Sequence, residues 1–485
     1  MRPRCEVTIT DIALNPDASR VLAKPFVPGL EDVGPTGSRA GAVIERILRL
    51  DESEVSDALT EVTKRFAGRH RDIEAIWHAQ SERVLPLMNG GHPLSAARKL
   101  LIGAYFTHEY AIEGAALANP SMVPWLDTAS DGSQAFVLSV RCIGEGHRSA
   151  IGFRTGAVTA DGSIRIDPPS RFVTYAGGEP GVHSRRVFHA RLDNLGHDLD
   201  ELAQLLSMLP PMFDDADLGS ALAALTGSSP RPSTDLMTHA NALSQWAYRV
   251  EFPEETEISE RVLWPHAPPE YHGMEDARFV LFHGSDGAAT YFATYTAFDR
   301  NVISLQLLET NDFRSFTSGP MAGTAALGKG MALFPRQIGN EYVALTRSDR
   351  ETNGIAMSDD LRHWEATEQV QVPHEAWEAT QLGNCGSPIE SPDGWLVLTH
   401  GVGPMRTYSM GAILLDLDHP TKVIGRTVEP ILTPNNAQRD GYVPNVVYSC
   451  GAMAHGDQLV IPYGIADQRI GVATLSLQEL IGSMA

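Results

Sequence analysis

The chain is poor in cysteine, in basic residues and in long apolar runs, and each shortage removes a class of function. Its four cysteines, Cys5, Cys142, Cys385 and Cys450, are far apart and never in CxxC spacing. That argues against a structural zinc site or a disulfide framework and for reduced thiols in the cytoplasm. Lys and Arg total 38 against 60 Asp and Glu, a formal charge of −22, so nucleic-acid binding through a basic face is not expected. No segment approaches the roughly 18 apolar residues of a membrane span. The stretch "MRPRCEVTITDIALNPDASR" lacks the apolar core of a secretory signal. No glycine-rich phosphate loop precedes a helix, and no pair of candidate ligands has helical metal spacing. The expected partner is therefore a small or neutral ligand, with no cofactor, metal, nucleic acid or membrane.

What remains is a 485-residue folded chain, 43% hydrophobic, with three alternating textures. After an extended lead, "RVLAKPFVPG", the segment 40–113 reads helical: Ile44, Ile47 and Leu48 share a face, and Val55, Leu59, Val62 and Phe66 continue the 3.6 period. It breaks at Gly90-Gly91. From about residue 118, short apolar runs are punctuated by Gly, Asp and Asn, the texture of strands and turns. A helical interlude spans 193–247, with one stripe at Leu199, Leu202, Leu205 and Leu206 and another at Leu218, Leu222 and Leu225. The segment "TGSSPRPST" after it reads as a loop. Beyond residue 248 nearly everything is strand and turn, and forms such as "VISLQLLETNDFRSFTSG" and "GIAMSDDLRHWEAT" recur. Degenerate strand modules at such spacing suit a β-propeller, with a sandwich or β-helix as alternatives. The domains expected are 1–117, an extended lead and helical region, and 118–485, a β domain carrying the insertion.

Polar clusters stand at the strand ends. "YHGMEDARFV" sets Glu275 and Asp276 beside Arg278. Paired carboxylates with a guanidinium can divide proton donation and hydroxyl binding in sugar cleavage, although most such pairs are surface salt bridges. "RCIGEGHRSAIGFR" carries Arg141, Glu145, His147, Arg148 and Arg154, and reads equally as a charged hairpin. "LFPRQIGNEYVALTRSD" holds Arg336 and Arg347. "NCGSPIESPDGWLVLTHGV" holds Glu390 and His400, and "VIPYGIADQRI" ends at Asp467. By themselves these imply an acidic, arginine-containing pocket suited to a carbohydrate.

Read in order, "NPSMV", "GMEDARF", "YTAF", "ALFPRQIGNEYVALTRSD", "GSPIESPDGWLVLTHGV", "YSMGAILLDLDHPTKVIGRT", "PNVVYSCG" and "YGIAD" resemble glycoside hydrolase family 130, the β-mannoside phosphorylases and β-mannosidases. The resemblance runs from Asn119 to the C-terminus, apart from the helical interlude. It implies a five-bladed β-propeller and an inverting enzyme acting on β-mannosides. Asp276 takes the place of the general acid, its proton passing through a hydroxyl of the bound mannose. Glu275 and Arg278 orient it, and Asp467, Asn119, Arg141 and Tyr295 lie against the sugar.

Two departures bear on the nucleophile. Arg347 and His400 match the family's phosphate ligands, but Ser348 stands where the family has Asn, and Glu390 where it has Lys. A carboxylate at a dianion site repels phosphate and can instead accept a proton from water, opposite the acid. The sequence therefore favours hydrolysis with Glu390 as base. The alternative is phosphorolysis to α-mannose 1-phosphate, with inorganic phosphate as co-substrate and Arg148 supplying the missing charge. A third reading is a non-catalytic sugar-binding propeller. The helical additions are expected at the pocket's rim or at a homo-oligomer contact.

Overall fold

The computed structural model describes residues 5–28, 39–87, 93–128, 131–228, 234–365 and 367–485. The Gly90-Gly91 break and residues 229–233 of the expected loop lie outside the described residues. The chain forms two compact units: one of 17–114 with 170–174, the other of 1–16, 115–169 and 175–485.

The smaller unit packs four helices, Arg39–Leu48, Glu52–Phe66, Ile73–Val84 and Ala96–Tyr105, with the strand pair Val21–Pro25 and Thr107–Ala111. Local chemistry starts the helices: Asp51 and Glu54 make a reciprocal capping box, and Asp72 and Ser95 cap the next two. Ile44, Ile47, Val55, Leu101 and Ile102 close one core. The helical reading of 40–113 overran its end, because Thr107–Ala111 pairs with Val21–Pro25 and extends the chain there.

The larger unit is mostly β. Among the described residues its strands fall into five antiparallel runs, the first two joined in one 11-stranded sheet by a parallel pairing of Gly273 with Ser149. The first run is Ala116–Thr128, Gln134–Ile143, Ser149–Val158 and Ile164–Ile166. The second run is Gly273–His283, Ala289–Phe298, Ile303–Thr310 and Ser315–Pro320. The third is Ala332–Leu333, Tyr342–Thr346, Asn353–Ser358 and Thr367–Gln371. The fourth is Gln381–Asn384, Gly394–Gly403, Thr407–Leu415 and Val423–Arg426. The fifth joins Val447–Tyr448, Gln458–Ile465 and Arg469–Ser476 to Thr8–Leu14 from the other end of the chain, with Thr8 opposite Thr474.

The inner strands are apolar on both faces where they lie between two cores. Gly394–Gly403 sends Trp395 and Val397 into one core and Leu396 and Leu398 into the next, following the two-residue period. Gly273–His283 divides Phe279 from Val280 and Phe282 in the same way. The fifth run meets the first through Cys450 N–H to Pro120 O, 2.8 Å, and Leu117 N–H to Gln468 O, 3.0 Å.

The insertion comprises helices Arg185–Asp193, Leu199–Ser207, Asp215–Ser228 and Thr234–Ser244, and so begins and ends earlier than its sequence pattern indicates. Leu202, Leu205, Leu218, Leu222 and Leu225 are buried as expected, whereas Leu199 opens its helix and is 70% exposed. Among the described residues no helix is long and apolar enough to cross a membrane, and all four cysteines are free.

Candidate active site

Residues from all five runs meet at one cavity of about 340 Å³. Two facing irregularities build its acid end. The strand Ala116–Thr128 slips register between Ala118 and Ser121, and Gly273–His283 slips between Glu275 and Arg278. Asn119 and Asp276 stand in these slips with left-handed backbone, φ 49° and 55°. A bulge turns a side chain that would face a neighbouring strand toward open space. The Asn119 amide donates to Asp276 Oδ1. Arg141 donates through Nη2 to Glu275 Oε1 at 2.5 Å and through Nη1 to Asp276 Oδ1 at 3.3 Å. Lys329 lies 3.8 Å from Glu275, on a loop flanked by Gly328 and Gly330, both at positive φ.

Arg278 bridges to the other end. Its Nη1 donates to the Asp276 carbonyl at 3.3 Å and its Nη2 to the Tyr448 hydroxyl at 2.7 Å. There His400 stacks on Tyr408 with centroids 5.9 Å apart and meets Tyr448 edge-on at 4.9 Å. Arg347 lies beside His400 over Gly383: a Cβ on that glycine would come 2.3 Å from Arg347 Nε and 2.6 Å from His400 Cε1. Arg347 Nε and His400 Nδ1 are buried without a hydrogen-bond partner among the described residues. Six cations line the cavity (Arg141, Arg278, Lys329, Arg347, Arg350 and Arg406) and two carboxylates, Asp276 and Asp467. In a chain of net charge −22, that excess makes the cavity a local anion site.

The two carboxylates titrate apart. Burial opposes ionisation of Asp276, but Arg141, Lys329, Arg278 and the Asn119 amide outweigh it and hold its carboxyl below the ordinary value. Asp467, in the turn between Gln458–Ile465 and Arg469–Ser476, is pushed up to about 6 by burial and by Asp276, against the pull of Arg141 and Arg406. His400 is driven well below its usual value by burial and by Arg347 and Arg278, so its ring is neutral at neutral pH.

Of the residues singled out from the sequence, Asn119, Arg141, Asp276, Arg278, Arg347, His400 and Asp467 line this cavity, and Glu275 lies directly behind Asp276. Three are elsewhere. Glu390 grips Arg336 through 2.7, 3.0 and 3.2 Å contacts, on an exposed strand end where Arg336 covers Trp395. Arg148 stacks on Tyr271 at 5.1 Å, away from the cavity lining. Tyr295 is fully buried and bonds Glu270 and Ser318. Glu270 also accepts from Tyr248 and from the backbone of His266 and Ala267, which fixes the turn before Gly273–His283. Sequence reasoning missed Lys329, Arg350, Arg406, Tyr408 and Tyr448. The local signals were the Gly-Lys-Gly of 328–330, which marks a side chain held on a tight loop, and the placing of Tyr408 and Tyr448 within "YSMGAILLDLDHPTKVIGRT" and "PNVVYSCG".

Residues 248–485 match the family described as beta-1,4-mannooligosaccharide phosphorylase. A 1,2-beta-oligomannan phosphorylase of Thermoanaerobacter sp. (strain X514) is 35% identical over 215 residues, 44% of this chain and 71% of that protein. The chain belongs to glycoside hydrolase family 130. A beta-1,2-mannobiose phosphorylase of Listeria innocua is 31% identical over 227 residues, 45% of this chain and 62% of the relative. A solved structure of the beta-1,2-mannobiose phosphorylase of Listeria innocua with beta-1,2-mannobiose aligns with 77% of this chain and 93% of its own, at 22% identity and a TM-score of 0.47. As a member of family 130 the protein is an enzyme, and the reading as a non-catalytic propeller falls. The expectation of hydrolysis loses its premise too: the two relatives described above are named as phosphorylases, and Glu390 is tied to Arg336 outside the cavity lining.

Proposed function

We propose that this enzyme cleaves β-mannosides by phosphorolysis, giving α-mannose 1-phosphate and the shortened sugar. The mannosyl unit lies against Asn119, Arg141, Asp276 and Asp467. Phosphate lies against Arg347, His400 and Tyr448. The glycosidic C1–O bond breaks as a phosphate oxygen bonds C1 from the opposite face, which inverts the centre. Hydrogenphosphate gives up one proton and the departing alcohol gains one, by way of Asp276 and a mannosyl hydroxyl, so the reaction needs no other acid or base.

The observation that carries this reading is the cationic, partner-deficient end of the cavity formed by Arg347 and His400. A neutral His400 can donate one N–H to an anion without the cost of a buried charge. Against burial, Arg141, Lys329 and Arg278 hold Asp276 ionised in the free cavity. A phosphate anion bound nearby opposes that ionisation and shifts the carboxyl upward, the direction its role as acid requires. We further propose that the five antiparallel runs are the blades of a five-bladed propeller and that 118–485 is the catalytic domain.

The test is incubation with β-1,2- and β-1,4-mannobiose, with and without phosphate. Mannose 1-phosphate is expected only when phosphate is present. Free mannose formed equally in both would overturn the proposal. Asp276→Asn is expected to lower kcat by roughly a hundred- to ten-thousand-fold while leaving mannobiose binding detectable by calorimetry.

A further inference from the structure

Three hairpins at this end of the molecule share one backbone design. Residues 144–148 join Gln134–Ile143 to Ser149–Val158, and residues 403–407 join Gly394–Gly403 to Thr407–Leu415. Each opens on an extended glycine, Gly144 at φ −112° and ψ −159°, Gly403 at φ −105° and ψ −162°. Each then holds two successive residues left-handed, Gly146 and His147 in one and Met405 and Arg406 in the other. The turn from Gln458–Ile465 to Arg469–Ser476 does the same with Ala466 and Asp467. The second left-handed residue is His147, Arg406 or Asp467.

The three tips end differently. Asp467 lines the cavity. His147 is spent on Tyr442, to which its ring bonds and on which it stacks. Arg406 lines the cavity too, with its guanidinium carbon 5.9 Å over the Tyr408 ring. Among the described residues it makes no side-chain hydrogen bond or ion pair, although its charge is felt at Asp467. Glycine adopts this backbone freely and other residues do so at a cost. The hairpin nevertheless carries Met405, 87% exposed, and Arg406 at its two left-handed positions. A cost retained at a cavity's edge points to the side chain it presents.

We propose that Arg406 is the specificity-determining residue that grips the departing sugar. This rests on the phosphorylase reading. The mannosyl unit occupies the Asp276–Asp467 end and phosphate the Arg347–His400 end. In an inverting displacement the leaving sugar lies on the side of the mannosyl unit away from phosphate, which we place beside Asp467 and Arg406. A guanidinium presents several N–H donors in one plane, spaced to meet neighbouring hydroxyl oxygens on one ring. Tyr408 supports it from below, and Asp467 balances its charge without consuming its donors.

The reaction run in reverse, from mannose 1-phosphate with mannose, glucose or mannobiose as acceptor, separates the ligands. Arg406→Ala is expected to raise the acceptor KM by about tenfold or more while the KM for mannose 1-phosphate stays within about twofold. Arg406→Lys restores part of the loss and evens out the preference among acceptors. Calorimetry supplies a readout independent of turnover: the variant loses affinity for mannobiose but keeps its affinity for mannose. A rise in the KM for phosphate or mannose 1-phosphate with acceptor KM unchanged would assign Arg406 to the anion site and overturn the proposal. So would parameters matching wild type throughout. A wild-type enzyme that forms no mannose 1-phosphate refutes the phosphorylase reading instead, and calorimetry then still decides whether Arg406 meets the second sugar.

Discussion

At the scale of single residues, Asp467 and Glu390 are two carboxylates in opposite settings. Asp467 is buried with a pKa raised to about 6, above its unfolded value, so the folded state holds its proton more tightly than the unfolded chain does. That contribution to stability is complete below pH 4 and is lost as pH rises through 6, a difference of roughly 2–3 kcal/mol. Asp467→Asn removes the ionisation, and its unfolding midpoint is expected to exceed wild type above pH 6 and to converge with it at pH 4. The sugar's hydroxyls donate best to the ionised form, so the wild-type KM for mannobiose should rise as pH falls below 6, and the Asn variant should lose that slope. Glu390 is paired with Arg336 at an exposed strand end, and such pairs contribute about 0–1 kcal/mol. Glu390→Gln is expected to keep kcat and both KM values within about twofold. A loss of turnover would return Glu390 to the chemistry and restore hydrolysis as the leading reading.

Among the elements, the strand Gln381–Asn384 shows how backbone makes room for chemistry. Gly383 leaves the space that the Arg347 side chain and His400 occupy; His400 comes from the strand Gly394–Gly403 and Arg347 directly follows Tyr342–Thr346. Gly383→Ala pushes the guanidinium away from its place while the strand's pairing with Gly394–Gly403 survives. Its expected signature is a KM for phosphate raised about tenfold, with mannoside KM and thermal midpoint near wild type. An unchanged phosphate KM would place the anion elsewhere. The bulges at Asn119 and Asp276 follow the same logic, since each gives up ladder pairing to aim one side chain at its partner across the site.

For the whole molecule, charge is distributed by depth. The surface supplies most of the −22, and charges beyond about 8 Å are screened at physiological salt, so the six lining cations govern what enters. Sulfate, with phosphate's shape and a double negative charge, is expected to compete with phosphate and not with the mannoside. Inhibition competitive with the mannoside would mean that anion and sugar share one end of the cavity.

The sequence by itself determined the β-rich character and the two helical segments, which follow from periodicity. The Glu275-Asp276-Arg278 cluster is contiguous and so could be singled out there. Alone it reads equally as a salt bridge at a turn, and the acid role given to Asp276 came from the family resemblance of such short motifs. Tertiary structure alone decided which side chains line the cavity. Tyr295 reads as a polar strand residue until packing closes Glu270 and Ser318 around it. Glu390 reads as a base facing the acid until folding brings Arg336, 54 residues distant in the chain, within hydrogen-bond range. Arg350 and Arg406 carry no motif of their own, Lys329 has only its flanking glycines, and Tyr448 is one residue among eight in "PNVVYSCG". They converge because neighbouring strand runs pack core against core and bring their loops to one end, and that convergence is set by long-range packing, which no local pattern encodes.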